Sequence, residues 1–227
     1  MKKQDLYFAA GCALALLPFF VSPQVYEFYK TFNAQHAYIA SAVKFAALST
    51  AGECIGLRIL KGVYNQRGFG ILPRALVWAF LGVCIKAAMV IFSAGVPAAL
   101  VSAGLKNAAA VMAGPLSLGK VFAAFCISVG MNGIFAPVFM TFHKITDAHI
   151  LQTGGTLRGL FKPLDMGAIM ASLDWRRQWD FVFKKTIPLF WFPAHTITFL
   201  LPGDWQVLFA ALLGVALGIL LALVNKK

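Results

Sequence analysis

Long runs of apolar residues dominate the chain, and the last of them is the most continuous. Between Thr186 and Val224 the one formally charged side chain is Asp204, within the sequence Pro202-Gly203-Asp204. Each half of this run is near the roughly 20 residues that a helix needs to cross about 30 Å of hydrocarbon, and Pro-Gly-Asp is typical of a turn. The pattern predicts a helical hairpin that crosses a membrane twice.

Four further helices are predicted upstream, over residues 6–21, 37–60, 75–96 and 118–142. The aromatic stretch 22–36 is interpreted as an interfacial loop. Residues 98–118 are apolar, but Lys106-Asn107 and Gly114-Pro115 interrupt them, which predicts a non-spanning or re-entrant segment. Residues 143–185 are rich in Lys and Arg, and within them residues 174–185 alternate aromatic with charged side chains, as in an interfacial helix.

These elements predict a single integral membrane domain over residues 1–227. Its parts are a first helix and outer loop (1–36), second and third helices (37–97), a non-spanning outer segment (98–118), a fourth helix (119–142), a basic inner interfacial segment (143–185) and a C-terminal helical hairpin (186–227).

The distribution of Lys and Arg predicts the topology. With six spans and both termini inside, 15 of the 20 basic residues fall on the inner side, three (Lys30, Lys106 and Lys120) on the outer side, and Lys44 and Lys86 within the membrane. This asymmetry agrees with the excess of positive charge that cytoplasmic loops carry. If residues 98–118 also crossed, the basic segment 143–185 would move outside.

Composition supports a membrane protein. Hydrophobic residues make up 60% of the chain and charged residues 12%, with a mean hydropathy of +0.77, well outside the soluble globular range. The net charge of +12 comes mostly from residues that flank apolar segments. We therefore expect anionic lipid headgroups on the inner face as partners, and no nucleic acid.

Polar side chains also lie in the middle of predicted helices, where ionisable groups usually face a bundle interior or water. Counted at about 1.5 Å per residue from the inner helix ends, Glu53 lies roughly 12 Å deep and Lys86 roughly 18 Å, a difference that a long lysine can bridge. We predict a Glu53–Lys86 ion pair. The predicted polar cavity comprises Glu53, Lys86, Ser49, Ser128, Asn132, His195 and Thr198.

Two interpretations of this polar layer remain open. It lines a hydrated cavity, or it is interhelical glue in a protein that conducts nothing. Gly52-x-x-x-Gly56 and Gly214-x-x-x-Gly218 are interpreted as close-packing surfaces, which also offer faces for an oligomer.

No catalytic, cofactor-binding or metal site is predicted, and we expect a protein that is not an enzyme. The chain has no phosphate-binding glycine loop, nucleophile elbow or HExxH motif. Its cysteines lie in separate apolar stretches without CxxC spacing, which favours neither zinc nor disulfides; they are Cys12, Cys54, Cys84 and Cys126.

Short motifs, most of them in the C-terminal half, resemble those of one known family. They are Gly52-Glu53, Phe135-Ala136-Pro137, Phe192-Pro193 and Leu201-Pro202 followed by Trp205. In these motifs the chain resembles the family of the 22-kilodalton peroxisomal membrane protein and the mitochondrial inner-membrane protein Mpv-seventeen, which has Gly-Asp, Phe-Ala-Pro, Trp-Pro, and Val-Pro followed by Tyr.

The resemblance covers residues 37–224 and is firmest after residue 119. It departs from the family at Met131, at Gln206 and in the third helix. It implies a compact helical membrane protein, a small-solute channel of organelle membranes that is linked in mitochondria to nucleotide supply. The first helix and residues 98–118 would be additions in a distant prokaryotic relative.

Together these patterns predict an all-α, polytopic transmembrane helix bundle of about six spans in a prokaryotic cytoplasmic (inner) membrane. The expected function is that of a channel or transporter for small polar or anionic solutes. The alternative is a non-conducting structural or scaffold protein. The expected partner is the lipid bilayer, with an oligomer through the Gly52/Gly56 or Gly214/Gly218 faces.

Overall fold

A computed structural model of the chain describes residues 2–105, 107–224 and 226, and in these residues it contains helices and no β-strand. The helices are α1 (Lys3–Val21), α2 (Pro23–Gln35), α3 (Ala37–Lys61), α4 (Ile71–Ser102), α5 (Ala108–Ala113), α6 (Leu118–Gln152), α7 (Leu157–Leu160), α8 (Met166–Ser172), α9 (Trp175–Arg177), a π-helix (Gln178–Trp191), α10 (Phe192–Leu200) and α11 (Gly203–Val224). The all-α prediction is confirmed.

Four of the described helices are long and apolar enough to cross a membrane: α1, α4, α6 and α11. This indicates an integral membrane protein. The other two predicted spans correspond to α3 and to the π-helix continued by α10, which are not among these four.

Several predicted boundaries are wrong, chiefly because helices continue where the sequence suggested breaks. The predicted loop 22–36 is the helix α2, which Ser22 caps by accepting a hydrogen bond from the Val25 amide at 3.3 Å. Helix α4 runs through Pro97 to Ser102, and α6 continues past its predicted end at residue 142 to Gln152, with Pro137 inside it as predicted. In a membrane bundle, neighbouring helices and side chains satisfy the backbone groups that a proline leaves without a hydrogen bond. Proline is therefore a weak signal for the end of a membrane helix. In the described part of residues 98–118, which leaves out Lys106, the short α5 lies between the end of α4 and the start of α6.

The long helices alternate in direction between two ends of the bundle. We call the end with the 62–70 connector the connector end, and the end with the turn at Pro202 the hairpin end. Both described chain ends approach the connector end: the Gln4 side-chain amide donates to the Gly62 carbonyl at 2.8 Å, and Ala222 lies next to Gly56. Helix α2 packs against α3 and α11, and α5 against α4 and α6.

Two close helix contacts depend on glycine. A methyl group on Gly82 would lie 2.8 Å from both Phe45 Cβ and the Ser41 carbonyl oxygen. The Ser41 hydroxyl donates to the Gly82 carbonyl at 2.7 Å, so at this point the Ser41 side chain of α3 contacts the backbone of α4. A methyl group on Gly52 would lie 3.1 Å from the Cα of Val215, which brings α3 against α11. Small residues allow this close approach in the absence of a hydrophobic driving force between helices.

The two predicted glycine motifs therefore pack against each other within the chain. A methyl group on Gly56 would lie 3.9 Å from the Gly218 carbonyl oxygen, and one on Gly214 would lie 3.9 Å from the hydroxyl of Ser49. The prediction of close-packing surfaces is confirmed. An oligomer through these same faces would have to displace α11 from α3.

The buried apolar core lies in the hairpin-end half. It joins α3, α4, α6, α10 and α11 through Phe45, Ile85, Ala88, Met89, Ala124, Ile127, Met131, Phe199, Val207, Ala210 and Ala211.

Helix α1 contributes no buried residue and is attached at the connector end. There Arg58 donates to Asp5 at 2.6 and 2.9 Å, and Tyr64 stacks on Phe8. Burial, aided by the hydrogen bond that Tyr64 donates to Asp5, raises the pKa of the Tyr64 phenol.

Candidate functional site

A cavity of about 720 Å³ extends from the connector end to the middle of the bundle. Its walls come from α3, α4, α6, α11, the π-helix and α10. At the mouth it is lined by exposed polar residues such as Lys144, Asp174 and Arg177, and at its inner limit by Phe45, Ile85 and Met131 of the apolar core. The cavity is therefore polar at the connector end and apolar where it meets the hairpin-end half.

The Arg74 guanidinium is the centre of an ion cluster on the wall of this cavity. Its Nη1 donates to Glu53 Oε2 and, at 2.7 Å, to Asp147 Oδ1, while its Nε donates to the Phe69 carbonyl at 2.8 Å. The side chain is 8% exposed, against 19% for Glu53 and 21% for Asp147. A buried charge with one missing partner is costly, so two carboxylates and a carbonyl oxygen together stabilise Arg74.

Two aromatic side chains complete the cluster. Trp78 donates its indole N–H to Glu53 Oε1 at 2.7 Å, and His143 Nε2 lies 3.2 Å from the same oxygen. The rings of Trp78 and His143 are 4.5 Å apart. His143 Nε2 also lies 3.6 Å from Asp147 Oδ1. Glu53 of α3 is thus held by side chains from both α4 and α6.

Helical spacing explains why these residues meet. Arg74 and Trp78 are four residues apart on α4, and His143 and Asp147 are four apart on α6, so each pair shares one helix face. Glu53 lies eight residues before the end of α3, at a depth that the long Arg74 side chain reaches from the first turn of α4.

The predicted Glu53–Lys86 ion pair is wrong. Among the described residues, Glu53 forms an ion pair with Arg74, and His143 Nε2 lies 3.2 Å from its second oxygen. Lys86 is half-buried and does not line the cavity. Arg74 is the partner of Glu53 instead. Its long side chain reaches Glu53 from the first turn of α4, and its guanidinium donates hydrogen bonds to two carboxylates at once.

The structure brings four of the seven predicted cavity residues together on the cavity wall: Ser49, Glu53, Asn132 and His195. Ser128 and Thr198 are fully buried instead and donate to the carbonyls of Phe192 at 2.8 Å and Ala194 at 3.1 Å. Of the family-like motif positions, Gly52, Phe135 and Ala136 also line the cavity. Pro137 lies within α6, Phe192 and Pro193 begin α10, Pro202 forms the hairpin turn, and Trp205 is half exposed in the first turn of α11.

Sequence reasoning missed Arg74, Trp78, His143 and Asp147. Arg74 was counted as a flanking charge, and a helix that ended at Phe142 left His143 and Asp147 outside the membrane. The signal that could have found them was the i, i+4 spacing of His143 and Asp147, which continues the period of α6.

Glu53, His143 and Asp147 also have the composition of a metal site, since one ligand atom from each lies within 4.8 Å of the others. Arg74 Nη1, however, is already bound between the two carboxylates. A cation would have to displace the guanidinium, so the arrangement favours an ion-pair cluster over a metal centre.

Comparison of the chain with models of known protein families, with curated proteins and with solved structures found no match.

We predict that stability depends on Arg74 far more than on Lys86. Arg74→Met leaves Glu53 and Asp147 as neighbouring carboxylates without the guanidinium between them and should lower the free energy of unfolding by about 3–5 kcal/mol. Lys86→Met removes the same charge from a half-buried position that has no ion pair among the described residues, and it should cost less than about 1 kcal/mol. Unfolding of the purified protein in detergent measures both. Equal losses would contradict the cluster.

Proposed function

We propose that the protein is a channel or transporter for small polar or anionic solutes and that the cavity is its solute path. The observation that carries this proposal is the cavity itself, about 720 Å³ in volume and lined by the ion cluster. Sites that hold small molecules typically have volumes of roughly 300–1,000 Å³, apolar walls and a few convergent polar groups. Charged side chains within a membrane bundle mark solute or ion pathways more often than lipid-facing surfaces.

Unpartnered polar atoms support a path that holds water or solute. Among the described residues, four buried side-chain atoms have no hydrogen-bond partner: Ser49 Oγ, Thr50 Oγ1, Gln178 Nε2 and Trp191 Nε1. Ser49, Gln178 and Trp191 belong to the cavity wall. A buried polar group without a partner is costly, and a neighbouring hydrated space supplies a partner for these three after small side-chain movements.

The second candidate function is that of a non-conducting scaffold. The observation that favours it is that the Arg74 ion pairs join α3, α4 and α6, which is what interhelical glue would do. A scaffold does not need a cavity beside these ion pairs, and a fully sealed polar layer would support it better.

Flux into liposomes that contain the purified protein tests the proposal. We expect faster entry of small neutral and anionic solutes than into protein-free liposomes. Leu217→Trp places a bulky ring on the cavity wall and should lower the protein-dependent rate. Leu220→Trp, on the same helix, is the matched control because Leu220 is 50% exposed on the outer surface. Two results would contradict a path through this cavity: entry rates with the unaltered protein that equal those of protein-free liposomes, or rates that Leu217→Trp and Leu220→Trp lower equally.

We also propose that six helical segments cross the membrane, with both termini and the connector end in the cytoplasm. The alternating helix directions and the excess of Lys and Arg at the connector end support this topology. Anionic headgroups on this face are the proposed lipid partners. A prokaryotic cytoplasmic membrane and a distant relationship to the peroxisomal and Mpv-seventeen family are proposed on the residue motifs alone.

Cysteine labelling tests this topology. In a variant without the four native cysteines, a single cysteine at Asp204 should react with an impermeant thiol reagent added to intact cells. One at Arg158, in the connector-end helix α7, should react only after the cells are permeabilised. The reverse pattern would contradict the proposed orientation.

A further inference from the structure

In the ion cluster, Arg74 and Asp147 each keep a polar atom that forms no hydrogen bond with the described residues. The hydrogen bonds of the cluster engage Arg74 Nε and Nη1 but not Nη2, and Asp147 Oδ1 but not Oδ2. Neither unused atom is among the buried polar atoms without a partner. Both residues line the cavity, and Arg74 Nη1 donates to Asp147 Oδ1 at 2.7 Å, so the remaining guanidinium N–H donors and the second carboxylate oxygen belong to one hydrogen-bonded pair on the cavity wall.

The charge of the cluster restricts what can bind to this pair of atoms. One guanidinium faces two carboxylates, Glu53 and Asp147, with the imidazole of His143 against both. A simple anion would meet the carboxylates at close range, and a simple cation would meet the guanidinium. Either arrangement is unfavourable, because the Arg74 side chain is only 8% exposed and a like charge within a few ångströms is screened less there than in bulk water.

A molecule without net charge avoids both penalties. To satisfy the two unused atoms, it must present an acceptor to Arg74 Nη2 and, next to it, a donor to Asp147 Oδ2. Primary amides have this pair of groups, and so do zwitterions with neighbouring carboxylate and ammonium groups. Apolar walls lie close by, since the guanidinium is 4.5 Å from the centre of the Phe69 ring and Phe139 lines the same cavity.

We propose that Arg74 and Asp147 form a solute-binding site for net-neutral small molecules that carry a hydrogen-bond acceptor beside a donor. This inference rests on the proposed function, because it names the solute class that the cavity would admit. It narrows the expected polar or anionic solutes to the net-neutral ones.

A matched set of three-carbon probes tests the site. Propionamide and alanine carry an acceptor beside a donor, propionate carries the acceptor alone, and propylammonium carries the donor alone. At fixed ionic strength, we expect propionamide or alanine to raise the thermal unfolding midpoint of the detergent-purified protein more than either charged probe, since only a binding ligand stabilises the folded state. The amide and the zwitterion are distinguished by which of the two raises it further. A midpoint raised as much by propionate or propylammonium, or raised by none of the probes, overturns the site.

The variant Asp147→Asn should change which of the probes the site binds best. A purely structural role of Asp147 would not produce such a change. It removes one carboxylate and places an N–H donor where an acceptor was, so propionate should bind more tightly than to the unaltered protein, on the order of tenfold. Asp165→Asn is the matched control, because Asp165 caps α8 outside the cavity and asparagine also caps helices. If the control shows the same gain for propionate, the site is overturned. If Asp147→Asn does not fold, the order of the four probes on the unaltered protein decides alone.

Binding and transport are separable in these experiments. The predicted order of probes in detergent supports the site even if liposomes show no flux, in which case only the transport proposal fails. Flux without that order of binding overturns the site and leaves the transport proposal standing.

Discussion

The need to neutralise Arg74 organises the connector-end half of the molecule. A guanidinium that is 8% exposed among apolar helices requires several acceptors, because transferring a lone charge from water into a protein interior costs several kcal/mol. Glu53 from α3, Asp147 from α6 and the carbonyl of Phe69 supply them. Meeting this requirement fixes the relative positions of α3, α4 and α6 at one end of the bundle.

The hairpin-end half depends on a different interaction. There the helices approach through glycine and other small residues, as at Gly82 against Phe45 and Ser41, and pack into an apolar core. Close packing of this kind excludes water, whereas a cluster of charges keeps part of its surface hydrated. The cavity accordingly lies in the polar half and ends where the apolar core begins. The π-helix forms part of the cavity wall. Such turns are rare in proteins as a whole, but those that occur are often at functional sites.

The sequence predicted the helical membrane character well, because apolar runs as long as those of α4 and α11 seldom occur outside membrane-spanning helices. It predicted boundaries less well, since a proline such as Pro97 ends helices in water but is tolerated within a bundle. The error at residue 142 had the largest consequence. A helix that ends there leaves His143 and Asp147 outside the membrane, and Glu53 then has Lys86 as its nearest apparent partner. Which charges pair depends on the rotation of one helix about another, and apolar periodicity constrains that rotation only weakly.

The proposed solute path requires that water reach the middle of the bundle through the cavity, and two adjacent residues of α6 test this most directly. Phe135 lines the cavity, whereas Ile134 is 69% exposed on the outer surface of the bundle. Single cysteines at the two positions, in a cysteine-free variant held in lipid nanodiscs, report on water because the thiolate, which forms where water reaches the thiol, attacks a hydrophilic thiol reagent. We expect that Phe135→Cys reacts readily and that Ile134→Cys, facing hydrocarbon, does not. Phe135→Cys that is no more reactive than Ile134→Cys would contradict a hydrated path through the bundle.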